Sequence, residues 1–81
     1  MSTFTLEIKS PEKSLFFGQV AGLTVKAADG EIGILADHAP LVSALVPGKI
    51  KYNLESGEAV TLDGGAGFLI VAGNQANVLL T

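Results

Sequence analysis

The stretch Leu23-Thr24-Val25-Lys26-Ala27-Ala28-Asp29-Gly30-Glu31-Ile32-Gly33-Ile34-Leu35 decides the fold. Leu23, Val25 and Ala27 alternate with Thr24, Lys26 and Ala28, the period of two that turns one face of a strand to a core and the other to water. Asp29-Gly30 breaks the run, with Gly30 supplying the positive φ of a tight turn. Ile32, Gly33, Ile34 and Leu35 then return as the partner strand. The unit is a β-hairpin. Gly33, inside the returning strand, reads as a bulge or a close backbone approach at positive φ.

Beyond the hairpin, Pro40 fixes its own φ and drives Ala39 to extended geometry, and Pro47-Gly48 marks a second turn. The segment between is a shaped loop running into a short strand. Upstream, Phe4, Leu6 and Ile8 alternate with polar neighbours, Ser10-Pro11-Glu12 ends that strand, and Leu15 to Val20 forms a compact apolar run in which Gly18 marks a candidate bulge. At least one of Phe16 and Phe17 belongs in the core. Downstream, Ile50, Tyr52 and Leu54 alternate with Lys51 and Asn53, and Glu55-Ser56-Gly57-Glu58 turns them back into Ala59 to Asp63 as a second hairpin. Gly64, Gly65 and Gly67 permit a tightly packed or bulged strand start. Phe68 to Val71 has almost no polar face, which reads as a strand covered on both sides. Gly73-Asn74 and a last run from Gln75 to Leu80 complete the chain.

Turns at this short spacing, with no 3.6-residue period over any ten residues, predict an all-β domain. The expected architecture is a small antiparallel β-sandwich or flattened barrel of roughly 8–10 short strands. With 81 residues the chain makes a single domain over 1–81, able to bury only about 60 to 65% of the surface its unfolded form exposes. Charged residues are only 16% against 48% hydrophobic, so the apolar excess either fills the core or is left at the surface for a partner. Gly, Asp, Lys or Asn interrupts every hydrophobic run well short of the ~18 residues a membrane-spanning helix needs, and no leader opens the chain. Direct membrane insertion is not expected. The absence of cysteine excludes disulfides and thiolate metal sites. A net charge of -3 with five scattered lysines offers no basic patch for nucleic acid.

The chemistry of a catalytic centre is missing. Asp37 and Ser43 are the groups that sequence places near the single His38, and nearest neighbours in an extended chain point to opposite faces. One histidine with scattered carboxylates has no metal-ligand spacing, and the glycines at 64, 65 and 67 precede no helix that could hold a phosphate. An enzyme with its own active site, a metal and a cofactor are therefore not expected. Asp29, Glu31 and Asp37 gather negative charge within nine residues. They form either a solvated loop edge or an acidic contact for a basic partner.

Gly30-Glu31-Ile32-Gly33-Ile34-Leu35, His38-Ala39-Pro40-Leu41-Val42-Ser43-Ala44-Leu45 and Pro47-Gly48-Lys49-Ile50 resemble the signature of the epsilon subunit of F-type ATP synthase, called delta in mitochondria. The resemblance continues through the Phe4-Thr5-Leu6-Glu7-Ile8 opening, the Leu15-Phe16-Phe17-Gly18 step, Asp63-Gly64-Gly65 with Gly67-Phe68-Leu69, and the Gly73-Asn74 turn. It implies the N-terminal β-sandwich of that family, a non-catalytic rotor element of the central stalk between the gamma subunit and the membrane c-ring. Such a subunit is a peripheral membrane protein on the cytoplasmic, or equivalent F1-facing, side.

By carry-over, Glu31, with Gly30 and Asp29, resembles the acidic turn that faces the c-ring. Ser10, His38, Leu41, Val42 and Ser43 fall at positions that resemble the gamma-facing surface. Gly33, Pro40, Pro47 and Gly48 shape the backbone between. Leu41 and Val42 are also readable as core, His38 as a loop cap, and Ser10 as the start of a turn. Family members often carry proline where this sequence has Ala36. Many also continue into a C-terminal helical hairpin that inhibits ATP hydrolysis and in some cases binds ATP. Because this sequence stops at Thr81, neither property is expected of it. A reading from another class, a small barrel holding an apolar ligand, calls for an interior cavity lined by Phe16, Phe68 and Ile70.

Overall fold

The computed structural model describes residues 2–81. It contains eight strands: β1 (Phe4–Lys9), β2 (Ser14–Ala27), β3 (Gly30–Ile34), β4 (Leu41–Leu45), β5 (Gly48–Leu54), β6 (Ala59–Gly64), β7 (Gly67–Ala72) and β8 (Gln75–Leu80). β2, with 14 residues, does most to shape the sandwich. Its first half pairs with β1 and its second half with β3 and β5, so one strand serves both layers. One layer carries β1, β8, β7 and β4, the other β3, β5 and β6, and Ala27 opposite Leu45 joins them at a second point.

The two apolar runs read in the sequence as Leu15 to Val20 and Leu23 to Ala27 are thus one strand, and the reason is a change of phase. Phe16, Gly18 and Val20 face inward, and after a bulge at Ala21 the inward positions become Leu23, Val25 and Ala27. One extra residue keeps both halves facing the same interior. The bulge is therefore not at Gly18, which lies in regular register opposite Leu6; a Cβ there would come within 3.2 Å of the Phe16 ring. Phe16 packs on Tyr52 with centroids 4.4 Å apart, while Phe17 is 65% exposed. Burial raises the Tyr52 phenol above its usual pKa.

The two hairpins form as read. Gly30 closes the first with φ of 130°, and Gly57, φ 97°, sits in the second, where the Leu54 amide donates to the Glu58 carbonyl. The interior is filled by Phe4, Leu6, Ile8, Val20, Leu23, Val25, Ile34, Leu69, Val71 and Val78 among others, with no charged group buried among the described residues. Strand number and class match the expected sandwich, with one difference. β1 pairs parallel with β8, Thr5 opposite Gln75 through Lys9 opposite Leu79. A parallel pair needs a long crossover, and here the crossover is nearly the whole chain, so no local signal announces it.

Gly33 corrects the expectation of a bulge at positive φ. It sits in an unshifted ladder opposite Thr24, is absent from the positive-φ residues, and a Cβ there meets nothing within 4 Å. Gly33→Val should accordingly keep or raise the melting temperature, because a β-branched residue favours an exposed strand by up to about 1 kcal/mol over glycine. A clear drop in thermal unfolding would restore a conformational role for this glycine. Phe68 to Val71 is corrected too. Leu69 and Val71 are buried, but Phe68 is 49% exposed, so the strand is covered on one side only.

Candidate functional site: an apolar outer face

Strand register assembles a surface from residues far apart in sequence. Along β4, Leu41, Ser43 and Leu45 turn inward and Val42 and Ala44 outward. Val42 lies opposite Ile70 of β7, Ala44 opposite Phe68, and Phe68 in turn opposite Leu79 of β8. Five apolar side chains on three adjacent strands therefore share one outward face, with Val42 70% and Leu79 37% exposed. Asn77 and Glu7, paired across β8 and β1, separate this cluster from exposed Phe17 at the far edge.

Apart from Leu35, 68% exposed just beyond β3, the outward face of the other layer has the opposite character. Lys26 stands opposite Glu31, Lys51 opposite Thr61, and Lys49 forms an exposed 2.5 Å ion pair with Asp63. Water solvates those groups at little cost, whereas a contiguous apolar patch is unusual on a soluble surface that meets no partner. A shallow groove of about 320 Å³ opens on this second face between Gly22, Gly33, Leu35 and Asn53. The apolar-ligand reading required Phe16, Phe68 and Ile70 to line one interior cavity. They face no common space, since Phe16 packs inside and the other two point out.

The candidate site residues distribute themselves around this face. Val42 lies within it. Leu41 packs against the core, so of the two readings left open for it the structure favours the core. Ser43 is half-buried on the inward side, its hydroxyl donating to the Ala44 carbonyl. Ser10 occupies the β1–β2 turn, where its amide and hydroxyl both donate to the Lys13 carbonyl and its hydroxyl accepts from the Lys13 amide. It follows Lys9, the neighbour of Leu79, and so borders the face at one end. His38 borders the opposite end, in the exposed loop before β4. Its Nδ1 lies 2.7 Å from the Ala39 carbonyl oxygen, which can only accept, so Nδ1 is the donor of this hydrogen bond.

The acidic trio divides. Asp29 lies in the β2–β3 turn and Glu31 is the second residue of β3, opposite Lys26, both near Leu45, since Ala27 pairs with both Gly30 and Leu45. Asp37 lies at the other end of β3, a five-residue strand spanning roughly 15 Å, and so is not part of one acidic patch with them. Pro47 stands in the bend between β4 and β5, and Gly48 opens β5 where a Cβ would come within 2.7 Å of the Lys26 side chain. No local motif marks Phe68, Ile70, Ala44 and Leu79 as surface residues. Their signal was present in the apolar character of both faces of β7, but two-sided burial explains that pattern equally well until the neighbours are known.

Residues 3–81 match the family model described as ATP synthase, Delta/Epsilon chain, beta-sandwich domain. The ATP synthase epsilon chain of Acinetobacter baylyi is 46% identical over 67 residues, which cover 80% of this chain and 48% of that one. Among solved structures, a chain of the Euglena gracilis mitochondrial ATP synthase, determined as OSCP/F1/c-ring, superposes with a TM-score of 0.92 at 23% identity, covering 99% of this chain and 51% of its own. A chain of the Tetrahymena thermophila mitochondrial ATP synthase central stalk and c-ring superposes with a TM-score of 0.80 at 15% identity, covering 95% and 62%. These likenesses carry the fold. The chain spans about half the length of the epsilon chain it matches. Among the described residues no helix is long and apolar enough to cross a membrane. With nearly the whole sequence inside the family match, the chain belongs to the delta/epsilon family of ATP synthase, as its beta-sandwich domain.

Proposed function

We propose that this chain is the non-catalytic sandwich of the central stalk of an F-type ATP synthase, seated between the gamma subunit and the c-ring and coupling proton transport to ATP synthesis. It would work as a peripheral component on the F1-facing side of the membrane, with no active site and no cofactor of its own. The observation that carries the reading is the contrast between the two outer faces. One presents Val42, Ala44, Phe68, Ile70 and Leu79, and the other presents lysines and carboxylates. The apolar face, bordered by Ser10 and His38, is the surface assigned to gamma. The Asp29-Gly30-Glu31 turn is the one assigned to the c-ring. Both assignments draw on the family resemblance at those positions and on the central stalk and c-ring named for the structural relatives.

A layered sheet with short connections suits a part that must pass torque without yielding. The test is binding of purified gamma subunit to this chain by titration calorimetry. Saturable binding near one to one is expected, and absence of binding by a folded chain would remove the reading. The c-ring half is tested by Glu31→Lys in a reconstituted complex. Proton-driven synthesis should fall several-fold while melting changes little, because an exposed charge contributes at most about 1 kcal/mol to stability. Facing Lys26 with a second lysine costs only a fraction of that. Unchanged coupling in that variant would dissociate the turn from the c-ring.

A further inference from the structure

The loop that carries His38 has almost nothing of its own to hold it. Asp37, His38, Ala39 and Pro40 are all exposed, and only Ala36 packs against the core. Asp37 moreover adopts φ of 62°, a left-handed conformation uncommon outside glycine, which aspartate and asparagine tolerate best, and here it has support from outside the loop. That support comes from a residue 37 positions away. The Asp37 amide donates to Asn74 Oδ1 at 2.8 Å, and Asn74 Nδ2 donates to the Thr3 carbonyl at 2.9 Å. The Asn74 carbonyl also accepts from the Thr5 amide at 3.3 Å.

Asn74 itself occupies the second position of the two-residue β7–β8 turn, with φ of 57° after Gly73 at 58°. This pair of positive values is that of a tight hairpin turn in which asparagine and glycine are the favoured residues. The turn aims one side-chain amide between two separate segments. Its oxygen meets a donor and its nitrogen meets an acceptor, so its orientation is determined from both sides. Aspartate could serve the first contact but not the second, and glycine could keep the turn but make neither.

From this geometry we infer that Asn74 is a positioning residue for docking: its side chain clamps the Asp37-His38 loop and the segment entering β1 to the β7–β8 turn, presetting His38 at the rim of the apolar face. The consequence for binding rests on the assignment of that face to gamma; the clamp itself does not. A preset loop loses less conformational freedom on association than a free one, and that difference appears as affinity.

The test uses Asn74→Gly, which keeps a residue suited to positive φ and removes only the side chain, with Asn74→Asp and His38→Ala beside it. Exchange of the Asp37 amide, followed by NMR, should accelerate about tenfold or more in Asn74→Gly, as loss of a hydrogen bond implies. In Asn74→Asp the Asp37 amide should keep its protection while the Thr3 contact is lost. Affinity for purified gamma should fall about tenfold in Asn74→Gly, and adding His38→Ala should lower it little further, since both changes remove one interaction. Unchanged Asp37 exchange in a folded Asn74→Gly chain would overturn the clamp and leave the docking assignment standing. Additive losses in the double variant would overturn the link to His38. If gamma binding ignores His38→Ala altogether, the placement of His38 at the gamma surface falls, and the docking role of Asn74 with it.

Discussion

Replacing both Val42 and Phe68 by aspartate is expected to weaken binding to the gamma subunit by about 100-fold or more, with the domain still folded. Val42 and Phe68 lie diagonally across the β4–β7 pair, each opposite an apolar partner, Ile70 and Ala44. Buried against another protein, each contributes the transfer free energy of a large apolar side chain, about 1.5 to 3 kcal/mol. A carboxylate left there must either stay charged in a dry contact or hold water in it. Two such losses correspond to at least a hundredfold in affinity, at about 1.4 kcal/mol per factor of ten. In the free domain Val42 is 70% and Phe68 49% exposed, so the fold gives up strand propensity and the packing of the buried half of Phe68, on the order of 1 kcal/mol, and stays folded. Calorimetric titration paired with a melting curve separates the two effects. Affinity that survives in the double variant would place the gamma contact elsewhere on the sandwich. The charged outer face supplies the internal control: Lys51→Asp there should leave gamma binding near its original strength.

The largest effect on stability is expected from Gly67→Ala, a change of one methyl group. A Cβ at Gly67 would overlap the Leu79 carbonyl oxygen and approach both the Leu79 carbonyl carbon and the Leu80 Cα to 3.0 Å. All three are backbone atoms of β8, so no rotamer change relieves the clash, and β8 must move as a strand. β8 also pairs with β1, and its Ala76 and Val78 are fully buried, so displacement reaches the core directly. Overpacking of this kind costs about 3 kcal/mol, from a total of roughly 5 to 15 kcal/mol for a domain. At about 4 to 8 °C per kcal/mol for a chain this size, the midpoint should fall on the order of 15 °C. Thermal unfolding followed by circular dichroism measures it directly. A midpoint within a few degrees of the original would show that the β7–β8 ladder can open at no cost. Gly33→Val, where the added atoms meet open space, is the contrasting case.

The sequence by itself determined the parts whose causes are local. The β2–β3 and β5–β6 hairpins follow from alternation flanking Asp29-Gly30 and Ser56-Gly57, since a period of two and a residue able to take positive φ are properties of a few neighbouring residues. The all-β class follows from the same repetition. The family was legible as well, because its ordered motifs run through the whole chain. Tertiary structure decided the rest, and each case involves residues distant in sequence. The parallel β1–β8 pair closes a loop of some 65 residues that no turn signal marks. The phase change at Ala21 could not be told from a break between two strands until β5 supplied the register. Leu41 and Val42 are both apolar neighbours, so hydrophobicity alone could not say which one faces out. Phe68 and Ile70 pose the same ambiguity on β7. Asn74 read only as a turn residue, because a side-chain amide joins Thr3 to Asp37 only after the fold brings three segments to one corner.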